Sequence, residues 1–256
     1  MTAIAAIVAA AIPIEGGFRA TVPANWLQGR TAYGGLSSAL ALHAAHISDE
    51  GLPPLRSALI AFIGPLAGEI MVTAKRLRRG RNAAYVEASI TSDAGLGYRA
   101  TFVFMKDVES RIAHDATVAS PHRPPSADAS LYVGAPEYFT GNFDFLDRKD
   151  EAGPVEWLRW ARLRERDGID AEIELIAIAD ALPPAALKLL GGPAPVSSLT
   201  WMVNVLTPRP TTTDGWWLLH TGTERAVGGY SSQRMTIWNA DGTPVIDAMQ
   251  GVAVFA

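Results

Sequence analysis

The chain has 256 residues, 48% of them hydrophobic, and a formal net charge of −4 from 22 basic and 26 acidic side chains. This composition supplies one large buried core or two smaller ones, and it excludes a chain that is disordered throughout. The balanced charge provides no long-range field for a polyanion, so we expect no nucleic-acid partner. The sequence contains no cysteine, which excludes disulfides, thiolate metal sites and a cysteine nucleophile and fits a cytoplasmic protein.

The first apolar segment covers residues 3–14, and neither Lys nor Arg precedes it. It therefore lacks the basic start of a signal peptide, and it is shorter than the roughly 20 apolar residues of a membrane-spanning helix. We interpret it as a first strand or a buried arm. Charged residues, Gly or Pro interrupt every later apolar stretch, so the sequence predicts a soluble chain without membrane insertion.

The first half continues with one predicted helix and four predicted strands. Apolar residues recur at helical spacing after the Gly34-Gly35 pair and predict an amphipathic helix. The Pro53-Pro54 turn follows this helix. Strands are then predicted over residues 57–63, 69–78, 82–91 and 98–106, with turn signals between them. Four successive strands after one helix favour an antiparallel sheet.

A proline-containing stretch over residues 116–129 has no apolar periodicity and predicts a linker. Beyond it we predict a strand over 155–164 and a helix over 171–182 that Pro183 and Pro184 stop. Four further strands are predicted over 197–206, 215–223, 230–238 and 244–255. The second half thus has the same order of elements as the first.

Two landmarks indicate that this repeated order is an internal duplication. Ser57 and Ser198 begin equivalent predicted strands 141 residues apart, and Pro65 and Pro208 follow those strands 143 residues apart. Two unrelated α+β halves are the alternative. We predict an N-terminal repeat over residues 1–115, a linker over 116–135 and a C-terminal repeat over 136–256.

The duplicated plan and several short motifs resemble the TesB-like acyl-CoA thioesterases. In the first half the resemblance rests on Trp26-Leu27-Gln28-Gly29-Arg30-Thr31-Ala32-Tyr33-Gly34-Gly35, Phe62-Ile63-Gly64-Pro65, Gly68 and Leu77-Arg78-Arg79-Gly80-Arg81. In the second half, the positions of the family's Asp, Thr and Gln triad are occupied by Ala179-Asp180, Ser197-Ser198-Leu199 and Met249-Gln250-Gly251. The resemblance implies an α+β fold, a double hotdog of two tandem repeats in which an antiparallel sheet wraps each long helix. It also implies acyl-CoA as substrate and an active site in the C-terminal repeat.

Three residues of the second half are the candidate catalytic group. Asp180 ends an apolar helix, where a buried carboxylate is costly unless it is hydrogen-bonded or used. The functional interpretation is a general base with a raised pKa, and the structural alternative is a capping aspartate near Pro183. Gln250 interrupts an apolar strand, where it either orients a water molecule or belongs to a structural hydrogen-bond network. Water would then attack the thioester directly, without a covalent acyl-enzyme.

The hydroxyl member of this group is ambiguous in the sequence. Ser198 stands where the family has Thr, and Thr200 follows two residues later, which in a regular strand places it on the same face. Ser198 is our first choice and Thr200 the alternative.

Two segments are candidates for substrate binding. The Tyr33-Gly34-Gly35 turn offers free backbone N–H groups at a helix start for an anion or a polarised carbonyl, although a glycine pair also serves close packing. The basic cluster that ends in Arg79 and Arg81 is a candidate partner for CoA phosphates, and a solvated strand end is its alternative interpretation.

The sequence predicts neither a metal nor a cofactor, because its five histidines are scattered without metal-site spacing. The resemblance implies a homodimer or a larger homo-oligomer. One alternative function is a non-catalytic acyl-CoA or lipid-binding hotdog protein. A hotdog hydratase or dehydratase is the other, and it would require an Asp and His pair that the sequence does not place together.

Overall fold

The structure is a computed structural model that describes residues 1–192 and 194–255. Its α-helices are α1 (Ile4–Ala9), α2 (Gly34–Ser48) and α3 (Ala171–Ala179), and a short 3-10 helix covers Ala185–Leu189. The strands of the first half are β1 (Ile12–Ile14), β2 (Gly17–Val22), β3 (Leu27–Gln28), β4 (Thr31–Ala32), β5 (Leu55–Phe62), β6 (Gly68–Arg79), β7 (Ala83–Ser92) and β8 (Gly95–Met105). Those of the second half are β9 (Phe143–Asp147), β10 (Glu156–Leu163), β11 (Val196–Val205), β12 (Trp217–Val227), β13 (Tyr230–Trp238) and β14 (Pro244–Val254).

Twelve of these strands form one antiparallel sheet in the order β1-β2-β6-β7-β8-β5-β11-β14-β13-β12-β10-β9. The two halves join where β5 pairs with β11, with Ile60 opposite Trp201. From this junction the strands of each half follow in the same topological order, and helix α2 of the first half packs against helix α3 of the second. This pseudo-symmetric arrangement confirms the predicted α+β double hotdog.

Helix α2 is buried on nearly every side, which corrects the prediction of an amphipathic helix. Its residues from Gly35 to Leu42 are all buried, as are Ala44 and Ala45. The sheet covers one side of the helix and α3 covers another, so no broad solvent face remains. The many alanines of α2 are small enough to allow this close approach on both sides.

The N-terminal segment contains the other large difference from the sequence-based expectation. We expected a strand or a buried arm, and the chain instead forms α1 before the short strand β1. Ile4 and Ile7 are buried on the inner side of α1, and Trp26 donates its indole N–H to the carbonyl of Thr2 over 2.7 Å. One side of α1 therefore packs against the core, while Ala6 and Ala9 on its other side are exposed. None of the helices in the described residues is long and apolar enough to cross a membrane.

The connection between the repeats runs over the outer face of the second repeat. Trp238 donates its indole N–H to the carbonyl of Val118, and the Ser120 amide donates to the carbonyl of Gly242. Near these contacts, Trp160 and Trp216 belong to a small second core on the outer side of β10 and β12. The contacts at Val118 and Ser120 thus hold this part of the linker against the C-terminal repeat.

Candidate active site

A cavity of about 760 Å³ opens at the seam between the two repeats. The first repeat contributes the segment before α2, the start of α2 and the turn after β5. The second contributes the end of α3, the start of β11 and one residue of β14. Among the lining residues are Arg30, Gly34, Ser37, Phe62, Leu66, Asp180, Leu182, Ser198, Gln250 and Phe255. Both repeats are required to form this site.

Asp180 lies at the C-cap of α3 and faces the N-terminus of α2. Its carboxylate accepts a hydrogen bond from the backbone N–H of Gly35. Burial raises the pKa of Asp180 to about 7, because the charged form loses solvation, and the hydrogen bonds from Gln250 and Gly35 only partly oppose this rise. A carboxylate that titrates near neutral pH is suited to accept a proton from water.

Gln250 links Asp180 to the sheet. Its Nε2 donates to Oδ1 of Asp180 over 2.9 Å, and its Oε1 accepts from Nε2 of Gln233 over 2.7 Å. Gln233 in turn accepts from the backbone N–H of Ala185 over 3.1 Å. Gln233 was not among the residues predicted from the sequence. It carries the same signal as Gln250, because it interrupts the inward-facing positions of β13 as Gln250 interrupts those of β14.

The structure separates Ser198 from Thr200, so the expectation that they share a face is wrong. Ser198 pairs with Val252 and Thr200 pairs with Gly251, which leaves Leu199 as the extra residue of a β-bulge. The bulge turns Ser198 toward the cavity of Asp180 and Gln250, whereas Thr200 lies on the outer face near Tyr230. Of the two hydroxyls, only that of Ser198 borders the cavity.

The Tyr33-Gly34-Gly35 turn brings the two helices together. Tyr33 is buried and donates its hydroxyl to the carbonyl of Ala177 over 2.7 Å, and burial, with a smaller contribution from Asp180, raises its pKa. A Cβ on Gly34 would lie 2.5 Å from Oδ2 of Asp180, so the missing side chain leaves room for the carboxylate. Gly34 borders the cavity, and the backbone N–H of Gly35 donates the hydrogen bond that Asp180 accepts.

Arg79 and Arg81 do not lie at this cavity, which corrects the expectation for the basic cluster. Arg79 binds Asp49 over 2.6 Å and the carbonyls of Glu50 and Gly51, all directly beyond the C-terminus of α2. Since α2 has 15 residues, this end lies about 22 Å from Gly34. Arg81 is exposed in the turn between β6 and β7. Arg30 is instead the basic residue that borders the cavity, at an exposed position before α2.

A smaller cavity of about 350 Å³ occupies the opposite seam, where the start of α3 meets the end of α2. Here Glu172 accepts from the backbone N–H of Leu55 over 3.0 Å and approaches His46 to 3.4 Å. Asp170 caps α3 by accepting from its first N–H groups. The carboxylates of this second seam are thus engaged in structural contacts. No cluster of three metal-binding side chains occurs among the residues that the structure describes.

Three solved structures with the same architecture align with nearly the whole chain. A hot dog fold protein of unknown function from Alicyclobacillus acidocaldarius is 22% identical, with a TM-score of 0.84 and coverage of 100% of this chain and 99% of the other. The tesB protein of Mycobacterium avium subsp. paratuberculosis is 17% identical (TM-score 0.79, coverage 99% and 98%). An acyl-CoA thioesterase II from Mycobacterium marinum is 18% identical (TM-score 0.73, coverage 94% and 92%). At these identities the likeness establishes the fold.

Sequence comparison identifies the family. A search of curated proteins gives no significant match. Two family models do match the chain: one described as the acyl-CoA thioesterase N-terminal domain over residues 22–105, and one described as the acyl-CoA thioesterase C-terminal domain over residues 108–254. Together they cover both repeats and most of the cavity lining. The chain therefore belongs to the acyl-CoA thioesterase family that these two models describe.

Proposed function

We propose that the protein hydrolyses acyl-CoA thioesters to a free acid and CoA, with Asp180 as the general base. The observation that carries this proposal is the pair of Asp180 and Gln250 at the wall of a large cavity, with the pKa of the carboxyl raised to about 7 by burial. A carboxylate with an ordinary pKa would be a much weaker base at neutral pH. The family models support the same reaction class.

In the proposed reaction, Asp180, Gln250 and Ser198 hold a water molecule against the thioester carbon. Asp180 takes a proton from this water as the water oxygen bonds to the thioester carbon, which gives a tetrahedral oxyanion. The C–S bond then breaks, and the CoA thiolate leaves and takes the proton that Asp180 had accepted, which restores the carboxylate. The free acid is released without a covalent acyl-enzyme, and the reaction needs no group beyond the chain's own side chains and water.

The start of α2 supplies the electrostatic part of this proposal. The N-terminal end of a helix carries partial positive charge, and Gly34 lies at that end on the cavity wall. An oxyanion that develops near Gly34 would be stabilised by this end of the helix. The same field favours the charged form of Asp180 once it has lost its proton.

The cavity also suggests how the two ends of the substrate are placed. Its walls include Phe62, Leu66, Leu182 and Phe255, which are suited to an acyl chain. Arg30 is exposed at the side of the cavity that the first repeat forms. We assign Arg30, in place of the distant Arg79 and Arg81, to the phosphates of CoA.

Release of free thiol from acyl-CoA esters of graded chain length tests this function. We expect steady thiol release with at least one chain length and its loss in Asp180→Asn. A protein that binds acyl-CoA, as seen by calorimetry, but releases no thiol with any chain length would be the non-catalytic binding protein instead.

A further inference from the structure

A second buried amide lies directly behind the candidate catalytic pair. Gln233 and Gln250 are opposite each other on neighbouring strands, and they are 0% and 3% exposed. A side-chain amide has a donor end and an acceptor end, so a buried amide acts differently in its two orientations. The contacts that fix these two orientations therefore decide whether Asp180 faces the oxygen or the nitrogen of the Gln250 amide.

The direction of this chain of hydrogen bonds is set at Ala185. A backbone N–H can only donate, so Gln233 must turn Oε1 toward the N–H of Ala185, 3.1 Å away. Its Nε2 then points to Gln250 and donates to Oε1 over 2.7 Å. With its oxygen occupied, Gln250 is left to donate from Nε2 to Asp180.

We infer that Gln233 is a positioning residue, which holds Gln250 in the orientation that presents an N–H group to the carboxylate of Asp180. This inference rests on the proposed role of Asp180 as the base. Gln233 does not border the cavity, so it acts through Gln250 and not on the substrate.

The orientation matters because the two forms of Asp180 need different partners. The carboxylate needs a donor, which the fixed Gln250 provides. The protonated carboxyl carries an O–H group that would gain an acceptor if Gln250 turned its oxygen inward. Ala185 and Gln233 oppose that turn, so the network favours the carboxylate and limits the rise in the pKa of Asp180 that burial causes.

Two substitutions interrupt this series of hydrogen bonds at different points without altering Asp180 or Gln250. Gln233→Met replaces the amide by an apolar side chain of similar length. Ala185→Pro removes the orienting N–H and leaves both glutamines in place. Ala185 is the first residue of a 3-10 helix, where Pro is accepted, and Pro184 before it has a ψ of 130°, which is compatible with a following Pro.

Each substitution has a matched control. Ser231→Ala changes another buried polar side chain on the same face of β13, and Ser231 has no hydrogen-bond partner within the described part of the chain. Ala185→Gly changes the residue but keeps the N–H. Two quantities are measured. One is the pH midpoint of thioester turnover, and the other is the pKa of the Asp180 carboxyl, which is determined by NMR titration of the full chain.

We expect Gln233→Met and Ala185→Pro to move both values upward by about one pH unit, which corresponds to about fivefold slower turnover at pH 7. The two controls should keep the wild-type values. A purely structural role would lower the melting temperature and leave the midpoint unchanged.

The inference is overturned if Gln233→Met folds, as judged by near-UV circular dichroism, and keeps the wild-type carboxyl pKa. If Gln233→Met does not fold, Ala185→Pro decides by the same criterion. Wild-type turnover in Asp180→Asn would contradict the proposed base instead. The NMR titration of Asp180 in Gln233→Met and Ala185→Pro would still show whether these hydrogen bonds set the carboxyl pKa.

Discussion

Gly34 of the first repeat lies directly against Asp180 of the second, so close that a Cβ on Gly34 would be 2.5 Å from Oδ2 of Asp180 and 2.9 Å from the ring of Phe62. Gly34 is helical and does not have a positive φ, so the constraint is one of space and not of backbone conformation. The small size of Gly34 is therefore what allows the carboxylate to reach the start of α2.

We predict that Gly34→Ala lowers the turnover number by about tenfold or more, because a displacement of a catalytic group by even about 1 Å has a large effect on rate. Steady-state kinetics with an acyl-CoA ester measures the change. Gly192→Ala is the matched control, since a Cβ there would contact nothing within 4 Å. Equal losses in the two variants would contradict the steric explanation.

Asp180→Asn preserves the shape of the side chain and removes the proposed base. We expect turnover to fall by about 10²–10⁴-fold, with little change in the affinity for acyl-CoA, because the water loses its proton acceptor and the substrate keeps its contacts. Glu174→Gln is a suitable control, because Glu174 is another largely buried carboxylate on α3 that pairs with Arg166. Wild-type rates in Asp180→Asn would exclude this residue as the base.

The raised pKa of Asp180 predicts the pH dependence of turnover. The base is active only when deprotonated, so the rate should rise about tenfold per pH unit below the pKa of about 7 and level off above it. A carboxylate with an ordinary pKa would give a rate that is already constant from pH 5 upward. Turnover measured from pH 5 to 9 distinguishes these profiles, after subtraction of the rate of Asp180→Asn at each pH.

The bulge at Leu199 predicts different effects for the two hydroxyls of β11. Ser198→Ala should lower turnover by about tenfold or more, since the water loses one of its orienting partners, and Ser198→Thr should be tolerated because it keeps a hydroxyl at the cavity. Thr200→Val should be silent, because Thr200 lies on the outer face. A damaging Thr200→Val together with a silent Ser198→Ala would contradict the assignment.

Substitution of Arg30 should change the affinity for acyl-CoA, whereas substitution of Arg79 should change the stability of the fold. Arg30→Ala should raise KM for acyl-CoA several-fold, and the difference from wild type should shrink at high salt because the contact is exposed. Arg79→Ala should leave KM unchanged and lower the free energy of unfolding by about 1–3 kcal/mol, because Asp49 loses its closest charged partner. Urea denaturation and salt-dependent kinetics on both variants test this. A raised KM in Arg79→Ala alone would reverse the assignment.

Much of the sheet could be predicted from local patterns. Apolar alternation and turn residues placed β5 to β8 and β10 to β14 within a few residues of their observed bounds, and the repeated order predicted the pseudo-symmetry. The strands β2 and β9 were not predicted. Asp180 and Gln250 could be found because each is a polar residue in an otherwise apolar element. Local pattern does determine these features, since burial of one strand face or one helix requires it.

The remaining features depend on contacts that are distant in sequence. The bulge at Leu199 arises from pairing with β14 and reverses the face of Thr200, which a regular strand pattern does not show. Arg79 turns to Asp49 because the end of β6 lies beside the end of α2, away from the cavity. The link from Ala185 through Gln233 joins a short 3-10 helix, β13 and β14, and becomes visible only when the three segments are together.

The seam between the repeats also determines how many copies of the candidate active site one chain contains. A duplicated fold has two places where the start of one helix meets the end of the other, and here they have diverged. One holds the titratable carboxylate of Asp180 beside a large cavity, and the other is occupied by the pair of His46 and Glu172. A fused chain can diverge in this way, whereas a dimer of identical single repeats would have to carry the same residues at both places. The stoichiometry of a tight-binding, non-hydrolysable acyl-CoA analogue should accordingly be one per 256-residue chain.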